Sequence, residues 1–250
     1  MNKTNIDRRH FLAAAAVAGA SLATAAARDW TGKNPTRYPD PDLISLDPRF
    51  DKYKIGNTPV QRLYTSPNAL WTEGCAWNGV GRYLVFSDIP NDLQLRWVED
   101  DNRVTVFRKP SGNSNGNTFD YRGRQISCQH GHRRVVRYEA DGGTTVLADQ
   151  FEGKRLNVPN DLVIDRQERV WFTDPFYEGA AGPFSYDRVH QELQHESVYR
   201  LDPQSDSSWS IDRVTFDTTR PNGVLLSLDQ RTLFVAQSGR RSDEKRELRA

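Results

Sequence analysis

Lys154–Pro175 reads KRLNVPNDLVIDRQERVWFTDP. It opens with the turn Val158-Pro159-Asn160-Asp161 and runs into the apolar strand Leu162-Val163-Ile164. The polar turn Asp165–Glu168 reverses it, and a second strand, Arg169–Thr173, returns. β-Branched and aromatic residues between turn formers mark a β-hairpin. Asn160 stands where the first strand begins, and Arg169, nine positions later, opens the second.

The unit recurs. Glu73 in TEGCAW precedes Arg82 by nine, Asn115 in SNGNTFD precedes Arg124 by nine, and Asn222 in RPNGVLL precedes Arg231 by nine. The four arginines are 42, 45 and 62 residues apart. Repeats of roughly 40–50 residues, each with about four short strands, are the pattern of a β-propeller, so the expected fold is all-β. The innermost strand of every blade lines one channel. Glu73, Asn115, Asn160 and Asn222 are therefore expected to converge on its axis. One carboxylate and three carboxamides are hard oxygen donors, suited to calcium or a similar divalent ion.

Several motifs, EGCAW, FSDIPN, NGNTFDYRGR, KRLNVPNDLVI, WFTDPFY and RPNGVLLSLDQRTLFVA, resemble the gluconolactonase branch of the gluconolactonase/regucalcin (senescence marker protein) family. The resemblance runs from about Asp47 to Gly239. It implies a six-bladed propeller, one divalent metal in the channel and hydrolysis of a sugar lactone. It places metal ligands at Glu73, Asn160 and Asn222, with calcium the first expectation and zinc, magnesium or manganese as alternatives. It also implies an Asp from a later blade as fourth ligand and general base, and no residue here matches it. The catalytic base is thus unassigned, with His130 in Cys128-Gln129-His130-Gly131 as a candidate. By strand count the chain holds about three and a half to four blades, where six need roughly 280–300 residues. Propeller segments beyond residue 250, and an impaired activity without them, are the expectation.

The remaining chain fits around this frame. Its 34 basic and 33 acidic residues give a net charge of +1, which offers no global attraction for nucleic acid or anionic membrane. Residues 1–27 carry Arg8-Arg9 before an Ala-rich run and small residues, the order of a twin-arginine signal for export to the periplasm or beyond. The apolar run is too short for a membrane span. Residues 28–60, rich in Pro, Asp and Gly, form an amino-terminal extension, either wrapped on the propeller or, over 28–42, a disordered linker. Residues 61–250 are the partial propeller. Phe176–Glu196 is an insertion, read equally as a cover for the channel mouth or as a surface loop. The charged tail Gly239–Ala250 reads as a solvated end. Cys75 and Cys128 read as small buried side chains, with a disulfide or a nucleophile as the alternative.

Each singled-out residue has a plainer reading. Pro-Asn-Asp and Pro-Asn-Gly are ordinary turn sequences, so Asn160 and Asn222 are turn residues when taken singly. Their shared spacing together with the family resemblance favours ligands. Asn115 and His130 are expected substrate contacts, with a turn residue and a structural histidine as alternatives. Asp88 and Asp174 are expected to serve turns. A non-catalytic sugar- or calcium-binding propeller and an interaction scaffold are the rivals to a lactonase, because fold alone does not decide function.

Overall fold

Residues 28–250, apart from 32, 34–36, 55, 58, 178–187 and 240–245, are described by a computed structural model. The predicted export signal and the middle of the predicted insertion lie outside the described residues. The chain divides into two compact units, Met1–Arg62 and Leu63–Ala250.

The described part of the first unit is organised by the buried Asp40 carboxylate. Arg28 donates to both its oxygens, at 2.8 and 2.9 Å, and Val60 N–H adds a third bond at 2.7 Å. Arg28 and Arg62 both lie over the Trp30 ring. A short 3-10 turn, Pro48–Tyr53, is capped by Asp47, whose side chain accepts from Arg49 N–H.

The second unit is a succession of antiparallel sheets in chain order, the four-blade propeller arrangement that the repeats require. Blade 1 contains β1 (Thr72–Asn78), β2 (Tyr83–Asp88), β3 (Leu93–Val98) and β4 (Arg103–Arg108). Blade 2 contains β5 (Ser114–Phe119), β6 (Gln125–Gln129), β7 (Arg134–Tyr138) and β8 (Thr144–Ala148). A two-stranded ribbon follows, β9 (Gln150–Phe151) and β10 (Lys154–Arg155). Blade 3 contains β11 (Leu162–Ile164), β12 (Val170–Asp174), β13 (Ser197–Pro203) and β14 (Trp209–Arg213). Blade 4 shows β15 (Pro221–Leu226), β16 (Leu233–Gln237) and β17 (Glu247–Arg249).

The hairpin turns explain the repeated spacing. Five residues after Asn115, the Asp120 carboxylate accepts from Arg122 N–H (3.0 Å), Arg124 N–H (2.8 Å) and Arg124 Nε (2.7 Å). Asp165, five after Asn160, repeats this with Gln167 N–H (2.9 Å), Arg169 N–H (3.0 Å) and Arg169 Nε (2.6 Å). Asn78 and Ser227 hold the same place in blades 1 and 4, accepting from Gly81 and Thr232 N–H. The repeated arginines therefore close the turns, and the strands begin one or two residues later.

Two expectations need correction. The tail is not wholly a solvated end, because Glu247–Arg249 pairs antiparallel with β16. Strand pairing uses backbone groups, so an outermost strand needs no apolar pattern. Arg249 binds Glu247 at 2.7 Å and also reaches Asp217. The cysteines are both free, and only Cys128 is buried; Cys75 is exposed. Cys75 shares the exposed face of β1 with Trp77, while Ala76 and Asn78 face inward.

The main core lies between blades 2 and 3. Ile126, Val135, Leu147, Leu162, Val170, Phe172, Tyr199 and Leu201 are buried together. Phe172 stacks on Tyr199 at 5.4 Å between ring centroids. A smaller cluster, Val198, Val224 and Val235, joins blades 3 and 4. Each such side chain contributes about 1.5–3 kcal/mol on full burial. Among the described residues no helix is long and apolar enough to cross a membrane.

Candidate metal and substrate site

The site is built where the first strands of the blades meet. In blades 1, 2 and 4 the pairing of first and second strand slips between Glu73 and Ala76, between Ser114 and Asn117, and between Pro221 and Val224. The bulges of blades 2 and 4 contain Asn115 and Asn222, and that of blade 1 directly follows Glu73. A bulge bends the strand and re-aims a side chain that alternation would send elsewhere. In blade 3 the equivalent Asn160 is tied by its N–H to Thr173 O at 2.9 Å, just before β11.

Neighbouring first strands approach unusually closely. Gly74 has φ +64°, and a Cβ there would stand 1.8 Å from Asn115 O. A Cβ on Gly116 would stand 2.5 Å from Asn160 O, whose carbonyl accepts Gly116 N–H at 2.8 Å. Only glycine permits both contacts. Blade 3 carries Asp161 at the corresponding place, and its Oδ2 accepts Val224 N–H of blade 4 at 2.9 Å. Burial pushes the Asp161 carboxyl up, and the charge of Glu73 adds to this.

One cleft is lined by Trp71, Glu73, Ile89, Asn115, His130, Asn160, Tyr177 and Asn222. All five residues singled out from the sequence are therefore brought together. Trp71 Nε1 donates to Glu73 Oε1 at 2.6 Å. Tyr177 Oη accepts from Asn160 Nδ2 at 3.3 Å and from Asn222 Nδ2 at 2.7 Å. Burial pushes the Tyr177 phenol up to about 12, so it stays protonated.

His130 is 5% exposed, and its Nε2 has no hydrogen-bond partner. The ring is hydrogen-bonded to the backbone of Pro159. That carbonyl can only accept, so the proton sits on Nδ1 and the Nε2 lone pair is left as an acceptor. Burial lowers the His130 pKa to about 4.

The donor chemistry fits a hard divalent cation. Among the described residues no three His, Cys, Asp or Glu side chains gather as a metal cluster. The oxygens here are instead one carboxylate and the carboxamides. Both Asn160 and Asn222 turn their amide nitrogens to Tyr177, so each Oδ1 is left without a donor among the described residues. Such oxygens suit calcium or a related ion better than a soft metal.

Other candidates fall outside the cleft. Asp88 accepts from Leu70 and Trp71 N–H and from Asn91, fixing the approach to β1. Asp174 is fully buried and accepts Asn157 N–H at 2.8 Å. Burial pushes its carboxyl up to about 7. Cys128 is fully buried and its thiol is pushed well up by burial, which removes it as a nucleophile.

Sequence reasoning missed Trp71, Ile89 and Tyr177. A positional signal for two of them exists. Ile89, His130 and Tyr177 each lie just beyond the second strand of their blade, β2, β6 and β12. Trp71 lies two residues before Glu73, on the same side of an extended chain.

Comparison with known proteins gives the family and the fold. The chain is 30% identical over 215 residues to the gluconolactonase of Zymomonas mobilis subsp. mobilis, covering 80% of this chain and 57% of that protein. The solved gluconolactonase of Xanthomonas campestris superposes with a TM-score of 0.65 at 37% identity, covering 74% of this chain and 58% of that one. The calcium-binding protein regucalcin of Agrobacterium tumefaciens shares the fold, at a TM-score of 0.52 and 16% identity, covering 70% of this chain and 53% of that one. The chain thus spans less than two thirds of the length of these relatives. Residues 71–244 match the model of the SMP-30/Gluconolactonase/LRE-like region, and the chain belongs to that family.

Proposed function

We propose that the cleft binds a divalent cation and hydrolyses a sugar lactone. The observation that carries this reading is the convergence of Glu73, Asn115, His130, Asn160 and Asn222 on one cleft from four different blades. Glu73, Asn160 and Asn222 would hold the ion, calcium first among the candidates. A bound divalent ion polarises an ester carbonyl and lowers the pKa of water. The one carboxylate of the set leaves the site with residual positive charge, which favours an electron-rich carbonyl.

The other lining residues receive the sugar. His130 Nε2 accepts a hydrogen bond from a hydroxyl, and the Asn115 carboxamide both donates and accepts. Trp71 and Ile89 supply apolar wall on the Glu73 side. Trp71 holds one Glu73 oxygen through its indole N–H, so the carboxylate keeps a fixed orientation.

A second reading, binding without turnover, is favoured by one observation. Glu73 is the one carboxylate among the described lining residues, and His130 is a weak base with a pKa of about 4. A pH-stat assay of gluconolactone opening separates the readings. It would be run with calcium, zinc or manganese, on the unaltered chain and on Glu73→Gln. Turnover that is lost with chelator and in Glu73→Gln supports the lactonase. Metal-dependent lactone binding without turnover supports the binder. A chain that takes up neither metal nor lactone sinks both.

A further inference from the structure

Tyr177 stands apart from the rest of the cleft because it connects two candidate ligands from different blades. It follows β12 by three residues, after the fully buried Phe176, so its backbone is anchored on blade 3. The guanidinium of Arg220, two residues before Asn222, lies 5.3 Å from the centre of its ring. Cations over an aromatic face are attracted by the ring quadrupole. The ring is therefore held from blade 4 as well as from blade 3.

A phenol oxygen has one hydrogen and two acceptor lone pairs. Two carboxamides facing it cannot both use their oxygens, since only one hydrogen is available. With both amide nitrogens turned to Tyr177 Oη, at 3.3 and 2.7 Å, both contacts are satisfied at once. The same rotation presents both Oδ1 atoms elsewhere. We infer that Tyr177 is a positioning residue: its hydroxyl sets the orientation of the Asn160 and Asn222 carboxamides, so that both oxygens are presented together to a hard divalent cation. This rests on the metal reading of the cleft. Without the hydroxyl each amide rotates freely about its last torsion and half of its orientations offer a nitrogen to the cation.

Calorimetric titration of the full 250-residue chain with calcium chloride tests this, using the unaltered protein, Tyr177→Phe and Asn160→Ala. Partners that orient ligands from behind typically account for 10–100-fold in metal affinity. Tyr177→Phe should therefore bind calcium about 10–100-fold more weakly. Its thermal midpoint in the presence of a chelator should match that of the unaltered chain. Unchanged calcium affinity in Tyr177→Phe, with weakened binding in Asn160→Ala, overturns the role of Tyr177 and leaves the metal site standing. Unchanged affinity in Asn160→Ala, or no uptake by the unaltered chain, removes the metal site and this inference with it. A Tyr177→Phe chain that loses its calcium-free midpoint or fails to fold marks Tyr177 as a packing residue and also overturns the inference.

Discussion

The seam between blades 1 and 2 and the seam between blades 2 and 3 differ in what lies at their centre. Between blades 2 and 3 the buried side chains are hydrocarbon and aromatic, centred on Phe172 and Tyr199. Between blades 1 and 2, beside the buried Val85 and an edge-on contact of the Tyr83 and Phe119 rings, lies a network of amides and hydroxyls. Asn117 is the centre of that network. Its Nδ2 donates to Gly74 O (2.8 Å), Ser87 Oγ (2.9 Å) and Asn115 O (2.9 Å). Its Oδ1 accepts from Gln94 Nε2 (3.0 Å) and Gln125 Nε2 (2.9 Å). Gln94, Ser87 and Asn117 are all buried. Apolar contact is strong per unit of area and tolerant of direction, whereas a buried hydrogen-bond network is directional and costly to leave incomplete. The apolar seam supplies stability. The polar seam fixes where Gly74 and Asn115 lie relative to one another, and hence where Glu73 enters the cleft.

The largest expected effect is on the apolar seam. Phe172→Ala removes a fully buried ring and should cost about 3–5 kcal/mol. Leu225→Ala, at a residue 62% exposed on blade 4, should stay within about 0.5 kcal/mol. Urea unfolding of both variants measures this, and equal losses would dissolve the distinction between a packed seam and an exposed face.

A smaller effect is expected from Asn117→Ala. Each partner left buried and unpaired costs about 1–3 kcal/mol. The informative part is the cleft. If the polar seam sets geometry, lactone or calcium binding should weaken in Asn117→Ala but not in Val136→Ala, a buried apolar change in blade 2. Equal binding by the two variants would reduce the polar seam to a second source of stability.

The smallest effect is a pH dependence at the edge of the apolar seam. Burial raises the folded-state pKa of Asp174 to about 7, well above the ordinary range of an aspartate. The folded chain therefore holds this proton more tightly than the unfolded chain. The contribution is fully present below the unfolded pKa and is lost as pH rises toward the folded one. Asp174→Asn stays neutral and keeps an acceptor for Asn157 N–H. Between pH 5.5 and 7 the unaltered chain should lose about 1–2 kcal/mol relative to Asp174→Asn. Parallel stability profiles for the two proteins would mean that Asp174 is already ionised in the fold.

Much of this protein was legible one residue at a time. Strands and turns follow from alternation and turn chemistry, which are local, so the hairpins of blades 1 to 3 match their expected places within a residue or two. The nine-residue spacing carried the site because equivalent positions of repeated blades face one axis, and Glu73, Asn115, Asn160 and Asn222 do line one cleft. The contribution of β17 was not legible, since backbone pairing leaves no apolar signature. Nor was the exposure of Cys75, which depends on which face of β1 the neighbouring blade covers. Tertiary structure alone decided the hydrogen bonds of Tyr177 and Trp71. Their places beside the strands are readable in the sequence, but the bonds they make to Asn222 and Glu73 are not. It alone decided, too, that His130 presents a bare Nε2, because the Pro159 carbonyl that fixes its proton arrives from the next blade. Periodicity places a side chain on a face; only the packing of one blade against the next determines which of its atoms are satisfied and which are left for a ligand.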